Sequence, residues 1–238
     1  MATAGGEASI STGYQTRALG NYSVAAGSYT TASNTYAVAM GNQSSASGEA
    51  AFSMGSNCAA QGPQSAAFGK TMFTRAAHSF VVGSYNESSD FPDPQNPAAT
   101  DRIFQIGNGD NSTRSNAITI LRNGNMGIGS TTPVFPLNFA NNLGHQISLW
   151  GNSGNHYGFG IQGGLLQMHS AGSGDDIAFG YGSSASFTEG MRIKGNGKLG
   201  IGTSNPFNQT EIVGAASATP VTLTIGNRGG FGPWPWSL

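Results

Sequence analysis

The sequence predicts an all-β protein whose residues 1–86 form a parallel β-roll and whose remaining residues form small β-rich units. Glycines recur every fourteen residues, at Gly13, Gly27, Gly41, Gly55, Gly69 and Gly83. Larger residues lie three and one positions before most of these glycines, and the positions between them are nearly all Ser or Ala. This alternation is typical of a strand with one bulky and one small face. An unstructured low-complexity tract would not hold such a register over six copies.

Each fourteen-residue unit has room for two short strands and two tight turns, so we interpret it as one coil of a thin solenoid. The recurring glycines are expected to supply positive φ at the turns. Coils stacked about 4.8 Å apart would pair their strands in parallel. The Ser/Ala face of the first strand is expected to pack against another chain, which predicts an oligomer.

The recurring units resemble the head repeats of trimeric autotransporter adhesins of the YadA type. These units are SVAAG (23–27), AVAMG (37–41) and AFSMG (51–55), each followed by a pattern close to x-x-S/T-x-A-x-G. The resemblance covers residues 7–86 and implies a left-handed roll, with three chains around a common axis as a homotrimer. It weakens after Gly69, where Met72, Phe73 and Arg75 interrupt the small second strand and predict a cap.

Four further segments are predicted beyond the roll. Residues 87–100 form a proline-containing connector, and residues 101–133 form a β-hairpin module with a Gly/Asp/Asn/Ser turn. The segments ILRNGNMGIGSTTP (120–133) and IKGNGKLGIGTSNP (193–206) align at an offset of 73 residues. They predict a β-rich fibre module at 134–206 and the start of a further, truncated module at 207–238.

These GIGT..P units resemble the repeats of tail-fibre-like and adhesin-like proteins of phages and bacteria. Such proteins often end in a self-cleaving intramolecular chaperone, and no such domain is evident here. We therefore expect the chain to be a fragment or a processed product.

Composition excludes several classes of protein. Charged residues make up 9% of the chain and the net charge is -1, so a general nucleic-acid binder is not expected. No apolar run approaches the roughly 20 residues of a membrane helix, and the first residues lack the features of a secretory signal. The single cysteine excludes an intrachain disulfide, and no Cys/His cluster has zinc spacing.

Several motifs could indicate chemistry, and each has a structural interpretation that we favour. Gly195, Gly197 and Gly200 match a dinucleotide-binding G-x-G-x-x-G pattern, but Pro206 leaves no room for the helix that such a site needs. We interpret the motif as a turn. Cys58 occupies a small-residue position and is predicted to be a packed thiol.

The histidines and the turn aspartates also form no pattern in the sequence that indicates a catalytic or metal site. The four histidines, His78, His145, His156 and His169, are scattered and are predicted to be surface or strand-packing residues. Asp110, Asp175 and Asp176 lie in Gly/Ser turns, where aspartate caps its own backbone. The sequence therefore predicts no catalytic, cofactor or metal site.

A ligand-binding cluster is predicted at Trp150, His156 and Tyr157, whose rings could stack on a sugar, although aromatic residues in strands more often form a core. The chain is expected to be an extracellular fibre segment of a phage or phage-like injection system. Its expected partners are two further copies of itself, a cell-surface glycan or protein receptor, and fibre or baseplate subunits. A bacterial cell-surface adhesin is the alternative, and a polysaccharide-degrading fibre enzyme, which would need paired carboxylates, is the alternative of another class.

Overall fold

The computed structural model describes residues 1–152 and 154–214, and these residues form strands, turns and loops without a helix. In this described part of the chain, no helix is long and apolar enough to span a membrane. The chain divides into two compact units, Met1–Asn141 and a second unit that begins at Asn142. The all-β prediction is confirmed for the described residues.

The first unit begins with a parallel β-solenoid of six coils, as the fourteen-residue period predicts. Each coil contributes a two-residue strand and a five-residue strand. In chain order these are β1 (Thr3–Ala4), β2 (Ile10–Tyr14), β3 (Arg17–Ala18), β4 (Val24–Ser28), β5 (Thr31–Ala32), β6 (Val38–Asn42), β7 (Ser45–Ala46), β8 (Phe52–Ser56), β9 (Ala59–Ala60), β10 (Ala66–Lys70), β11 (Phe73–Thr74) and β12 (Phe80–Ser84). The short strands form one sheet and the long strands another, each with a fourteen-residue parallel register such as Ala39↔Ser53.

The small face of the long strands points into the coil, which corrects the expectation that it packs against another chain. Its residues are fully buried within the single chain, and they meet the equally buried alanines of the short strands. The two rows are Ala25, Ala39, Ser53, Ala67 and Val81, and Ala18, Ala32, Ala46 and Ala60. A coil of fourteen residues encloses little space, so only side chains of this size fit inside it. The bulky face is the one that points outward.

The recurring glycines have positive φ, as expected, but they lie within the long strands and not in the turns. Gly55 lies inside β8, and a Cβ built on it would stand 2.0 Å from the carbonyl oxygen of Gly69 in the next coil. The left-handed turn positions are instead taken by other residues, such as Tyr36 (φ 59°) and Asn57 (φ 56°). Their amides donate to the preceding coil, as Tyr36 does to Asn21 at 2.9 Å. Hydrogen bonds between coils therefore offset the cost of these conformations.

The roll does not close at Met72, Phe73 and Arg75, because the short strand continues there as β11 and a further long strand follows. Met72 is fully buried at the position that Cys58 occupies one coil earlier. Asn86 follows one coil later and is also fully buried. Its side-chain amide accepts a hydrogen bond from the Phe73 amide at 2.8 Å and donates one to the Phe73 carbonyl at 2.9 Å. The Asn86 side chain thus replaces the backbone of a seventh short strand and closes that sheet.

The connector at 87–100 has no strand, and side chains hold it against neighbouring parts of the first unit. Arg102 pairs with Asp90 at 2.7 Å, and Arg75 donates to the Asp90 carbonyl at 2.9 Å. The guanidinium of Arg75 also lies 4.6 Å from the centre of the Phe91 ring. The connector is therefore held by Arg75, which precedes it in the sequence, and by Arg102, which follows it.

The predicted hairpin at 101–133 is present, and it extends the solenoid sheet. Its strands are β13 (Arg102–Asn108) and β14 (Asn116–Leu121), followed by β15 (Met126–Ile128) and β16 (Leu137–Phe139). β13 pairs in parallel with β12, so the long-strand sheet has ten strands. Gln105 faces the end of the coil interior, where its side-chain oxygen accepts from Asn86 and Asn116 at 3.2 and 2.8 Å. This amide network covers the end of the alanine-lined core.

The second unit contains two separate sheets in its described part. The first has the order β17 (Gly144–Asn152), β18 (Asn155–Gln162) and β19 (Leu165–His169), with both pairings antiparallel. The second has the order β20 (Ile177–Ser183), β21 (Ser186–Ile193), β22 (Leu199–Ile201) and β23 (Thr210–Ile212). Of the further module predicted at 207–238, residues 215–238 lie outside the described residues.

The 73-residue repeat seen in sequence is a repeat of structure, and it extends further than the sequence similarity. The strands β13–β16 and β20–β23 pair in the same order and register. In the first copy the strands pair through Ile106↔Ile118, Ile120↔Met126 and Met126↔Leu137. In the second copy the equivalent pairs are Phe179↔Met191, Ile193↔Leu199 and Leu199↔Thr210. The residue numbers of equivalent positions differ by 73 throughout. Each copy is an antiparallel three-stranded meander with a fourth strand added in parallel.

The shared glycines have backbone reasons in both copies. Gly124 (φ 89°) and Gly197 (φ 87°) take left-handed positions in the tight turn between the second and third strands. A Cβ on Gly127 would stand 2.3 Å from the carbonyl oxygen of Ser130, and one on Gly200 would stand 2.2 Å from that of Thr203. The G-x-G-x-x-G match at 195–200 is therefore a hairpin turn followed by a strand, as predicted.

Candidate functional site

The three-stranded sheet β17–β19 has two faces of different chemistry. Successive residues of a strand point to opposite faces, so the central strand β18 sorts its side chains between them. Tyr157, Phe159 and Ile161 lie on one face, whereas His156, Gly158 and Gly160 lie on the other. We call these the aromatic face and the histidine face.

The histidine face brings together three of the four histidines, one from each strand. His145 pairs with Gly160, and His169 pairs with Gly158, so both flanking histidines stand beside a glycine of the central strand. These glycines have no side chains to fill the space above β18. The imidazoles therefore lean over the central strand and meet His156. The strand pairing thus brings together three histidines that are far apart in the sequence.

The three imidazoles are in mutual contact. The ring centres of His145 and His156 are 4.3 Å apart, those of His156 and His169 are 4.7 Å apart, and those of His145 and His169 are 5.2 Å apart. One ring nitrogen from each residue can be chosen so that all three lie within 4.8 Å of one another. His156 is buried, His169 is partly exposed and His145 is exposed.

Two nitrogens of this cluster are buried without a hydrogen-bond partner in the described part of the chain, Nδ1 of His156 and Nε2 of His169. Desolvation lowers the pKa of His156, and the neighbouring imidazoles His145 and His169 lower it further. The neutral form, which carries a free lone pair, is therefore favoured. Neutral imidazole is the form that binds metal ions.

The aromatic face holds two of the three predicted sugar-binding residues. Trp150 and Tyr157 form a cross-strand pair with ring centres 5.7 Å apart, and Trp150 is 71% exposed. His156 directly precedes Tyr157 in the same strand and therefore points to the opposite face, so it cannot share a binding surface with Trp150 and Tyr157. The predicted trio is therefore divided between two surfaces.

A shallow groove of about 470 Å³ lies at the Trp150 end of this sheet. It is lined by Trp150, Gly151, Asn152, Asn155, Ala171, Gly172 and Asp175. Its polar side chains are two amides and one carboxylate, next to one large exposed ring. A hydrogen bond to the Asp175 carboxylate raises the pKa of Tyr157. Such a mixture of ring and hydrogen-bonding groups suits a carbohydrate.

The other singled-out polar residues have structural roles. Asp110 accepts hydrogen bonds from the amides of Ser112 and Thr113, as predicted for a turn aspartate, and these bonds lower its pKa. Asp176 does more than cap a turn, because it pairs with Arg192 at 2.8 Å and with Lys194 at 3.1 Å. It also accepts a hydrogen bond from the Gly195 amide, which lowers its pKa.

Cys58 is buried and free, as predicted for a packed thiol. Its Sγ lies 3.1 Å from the carbonyl oxygen of Gly69, to which it can donate. Burial raises the pKa of the thiol, so the reactive thiolate is disfavoured.

The grouping of His145 and His169 with His156 was not visible in the sequence. The one sequence signal is the segment HYGFG (156–160), which places glycines two and four residues after His156 on the same strand face. That pattern indicates an empty stripe on one face. It does not show which residues of the neighbouring strands lie beside it.

No protein-family model and no curated protein sequence matches this chain.

Proposed function

We propose that the chain is a segment of a homotrimeric attachment fibre, with a rigid β-solenoid and distal repeat units that bind a cell-surface receptor. A tail fibre of a phage or phage-like injection system is the form we favour. Two features support it, namely apolar surface that the described residues leave uncovered and the groove beside Trp150.

The uncovered surface of the second unit carries the oligomer proposal. In its described residues, no Leu, Ile, Val, Phe, Met, Tyr or Trp side chain is buried. Leu149, Leu166 and Tyr181 are 69%, 72% and 72% exposed. A small sheet needs a covered apolar face to be stable, and among the described residues these two sheets lack one. Other chains would supply the missing cover.

The solenoid offers a second uncharged surface along the outward face of its long strands. Phenylalanines form a continuous stack there, with ring centres 5.2 Å apart for Phe52 and Phe68, 5.6 Å for Phe68 and Phe80, and 5.9 Å for Phe80 and Phe104. Ile10 and Met54 extend the stripe and are 59% and 47% exposed. An identical chain presents the same stripe with the same spacing between coils, so copies can match along its whole length. This surface favours copies of the same chain over an unrelated partner, and the number three is the one that the resemblance of the repeats implies.

The groove supports the binding part of the proposal. One carboxylate, that of Asp175, lines it. Glycoside hydrolysis uses a pair of carboxylates, so this groove favours attachment over degradation. Weak single sites would gain avidity from three copies on one fibre.

Replacing Leu166 by glutamate should break the assembly. Leu166 is 72% exposed in the single chain, so the change costs a monomer little, but burial of a carboxylate between chains is strongly unfavourable. We expect multi-angle light scattering to report three chains for the wild type and fewer for L166E. The control is Gln162→Glu, which adds the same charge at an exposed polar position of the preceding strand. A wild type that stays a folded monomer at all concentrations would contradict the oligomer.

Replacing Trp150 by alanine should reduce binding to cells or to a glycan array by about tenfold or more. One stacking contact of an aromatic ring is worth about 0.5–1.5 kcal/mol, and three copies lose it together. The control is Gln162→Ala, because Gln162 is an exposed polar residue of the same sheet and does not line the groove. Equal binding by W150A and Q162A would exclude the groove as the receptor site while leaving the oligomer untouched.

A further inference from the structure

We propose that His145, His156 and His169 form a binding site for a divalent zinc-class metal ion within one chain. The site would join all three strands of the β17–β19 sheet through three imidazole ligands. This proposal is independent of the trimer, because the three histidines belong to the same chain.

The geometry of the cluster suits one ion. Each histidine comes from a different strand, and the available ring nitrogens lie within 4.8 Å of one another. Two nitrogens on one tetrahedral zinc stand about 3.3 Å apart, given zinc–nitrogen distances of about 2.0–2.1 Å. Rotation about the side-chain bonds of His145, which is exposed, and of His169, which is partly exposed, can bring the nitrogens to this distance.

Two ring nitrogens of the cluster are buried and have no hydrogen-bond partner among the described residues. His156 is only 7% exposed, and its Nδ1 has no hydrogen-bond partner in the described residues. The same holds for Nε2 of His169. A buried nitrogen without a partner costs free energy, and coordination of a metal ion would satisfy it.

The donor set selects the class of ion. Imidazole nitrogen suits Zn²⁺, Cu²⁺ and Ni²⁺, whereas Ca²⁺ and Mg²⁺ prefer oxygen ligands. Three histidines leave at least one coordination position open, and His145 is exposed, which gives the ion a path from solvent. Binding would cross-link a sheet that has little apolar cover of its own, and it would raise the stability of the second unit by mass action.

The test is a zinc titration of the full chain, prepared without a polyhistidine tag, near neutral pH. Isothermal calorimetry should show one Zn²⁺ per chain, and zinc should raise the melting temperature. Zinc X-ray absorption should show three imidazole nitrogens at about 2.0–2.1 Å. One ion per three chains would overturn the site within a single chain, and so would the absence of binding.

The variants are His145→Ala and His169→Ala, with His78→Asn as the matched control. His145 is exposed, so H145A should keep its fold by circular dichroism, and loss of one of three ligands should weaken zinc binding at least about tenfold. His78 is exposed in a left-handed turn of the solenoid, a conformation that asparagine tolerates. H78N should bind zinc like the wild type. Unchanged zinc binding in both H145A and H169A would overturn the proposal.

Discussion

Replacing Gly55 by alanine is expected to disrupt the solenoid, with a loss of about 3 kcal/mol or more in the free energy of unfolding. A Cβ at this position would stand 2.0 Å from the carbonyl oxygen of Gly69, and φ at Gly55 is +131°. The obstacle is the backbone of the next coil, which is fixed by its own parallel hydrogen bonds. Relief would require the two coils to separate. Urea unfolding followed by circular dichroism measures the loss.

The matched control is Gly124→Ala in the same unit. Gly124 also has positive φ, at +89°, but no atom lies within 4 Å of a Cβ built there. This variant isolates the cost of the left-handed backbone, which is about 1 kcal/mol. Similar small losses for G55A and G124A would show that coil separation does not limit the roll.

Replacing Ala39 by leucine is the second large effect. Ala39 is fully buried between Ala25 and Ser53 of the neighbouring coils. Overpacking of a tight core costs about 1–3 kcal/mol, and the value should reach the upper end here because stacked coils cannot move apart. We expect A39L to lower the urea midpoint strongly or to prevent folding. The change acts within one chain, whatever the number of chains.

The control is Met40→Leu, one residue further along β6 on the outward face, where the side chain is half-buried and the change conserves volume. M40L should unfold like the wild type. If A39L instead kept the unfolding midpoint and only separated the chains in light scattering, the small face would be a surface between chains.

The coil period, the six solenoid repeats, the buried Cys58 and the turn at 195–200 were all predictable from sequence. Each of these features depends on a pattern of residue types that is close together or repeated along the sequence. A fourteen-residue glycine period with large and small alternation leaves one arrangement of strands, since each coil must pair with the next. The turn at Gly197 follows from the short spacing before β22.

The direction of the small face was not predictable, because alternation shows that two faces differ but not which one is inside. The coil decides this by its width, which admits Ala39 and excludes Met40. The expectation that Gly55 lies in a turn was wrong because the reason for this glycine is a contact in space and not a local one. Its neighbour in space is Gly69, fourteen residues away, and only the stacked coils show how closely the two backbones approach.

The sequence by itself determined the β-solenoid, its six coils and the existence of a 73-residue repeat, because these depend on periodic spacing along the chain. The tertiary structure alone decided which residues share a surface. Strand pairing separates His156 from Trp150 and Tyr157, since neighbouring residues of a strand face opposite sides. The same pairing joins His156 to His145 and His169, because the register places both of them beside the glycines of the central strand.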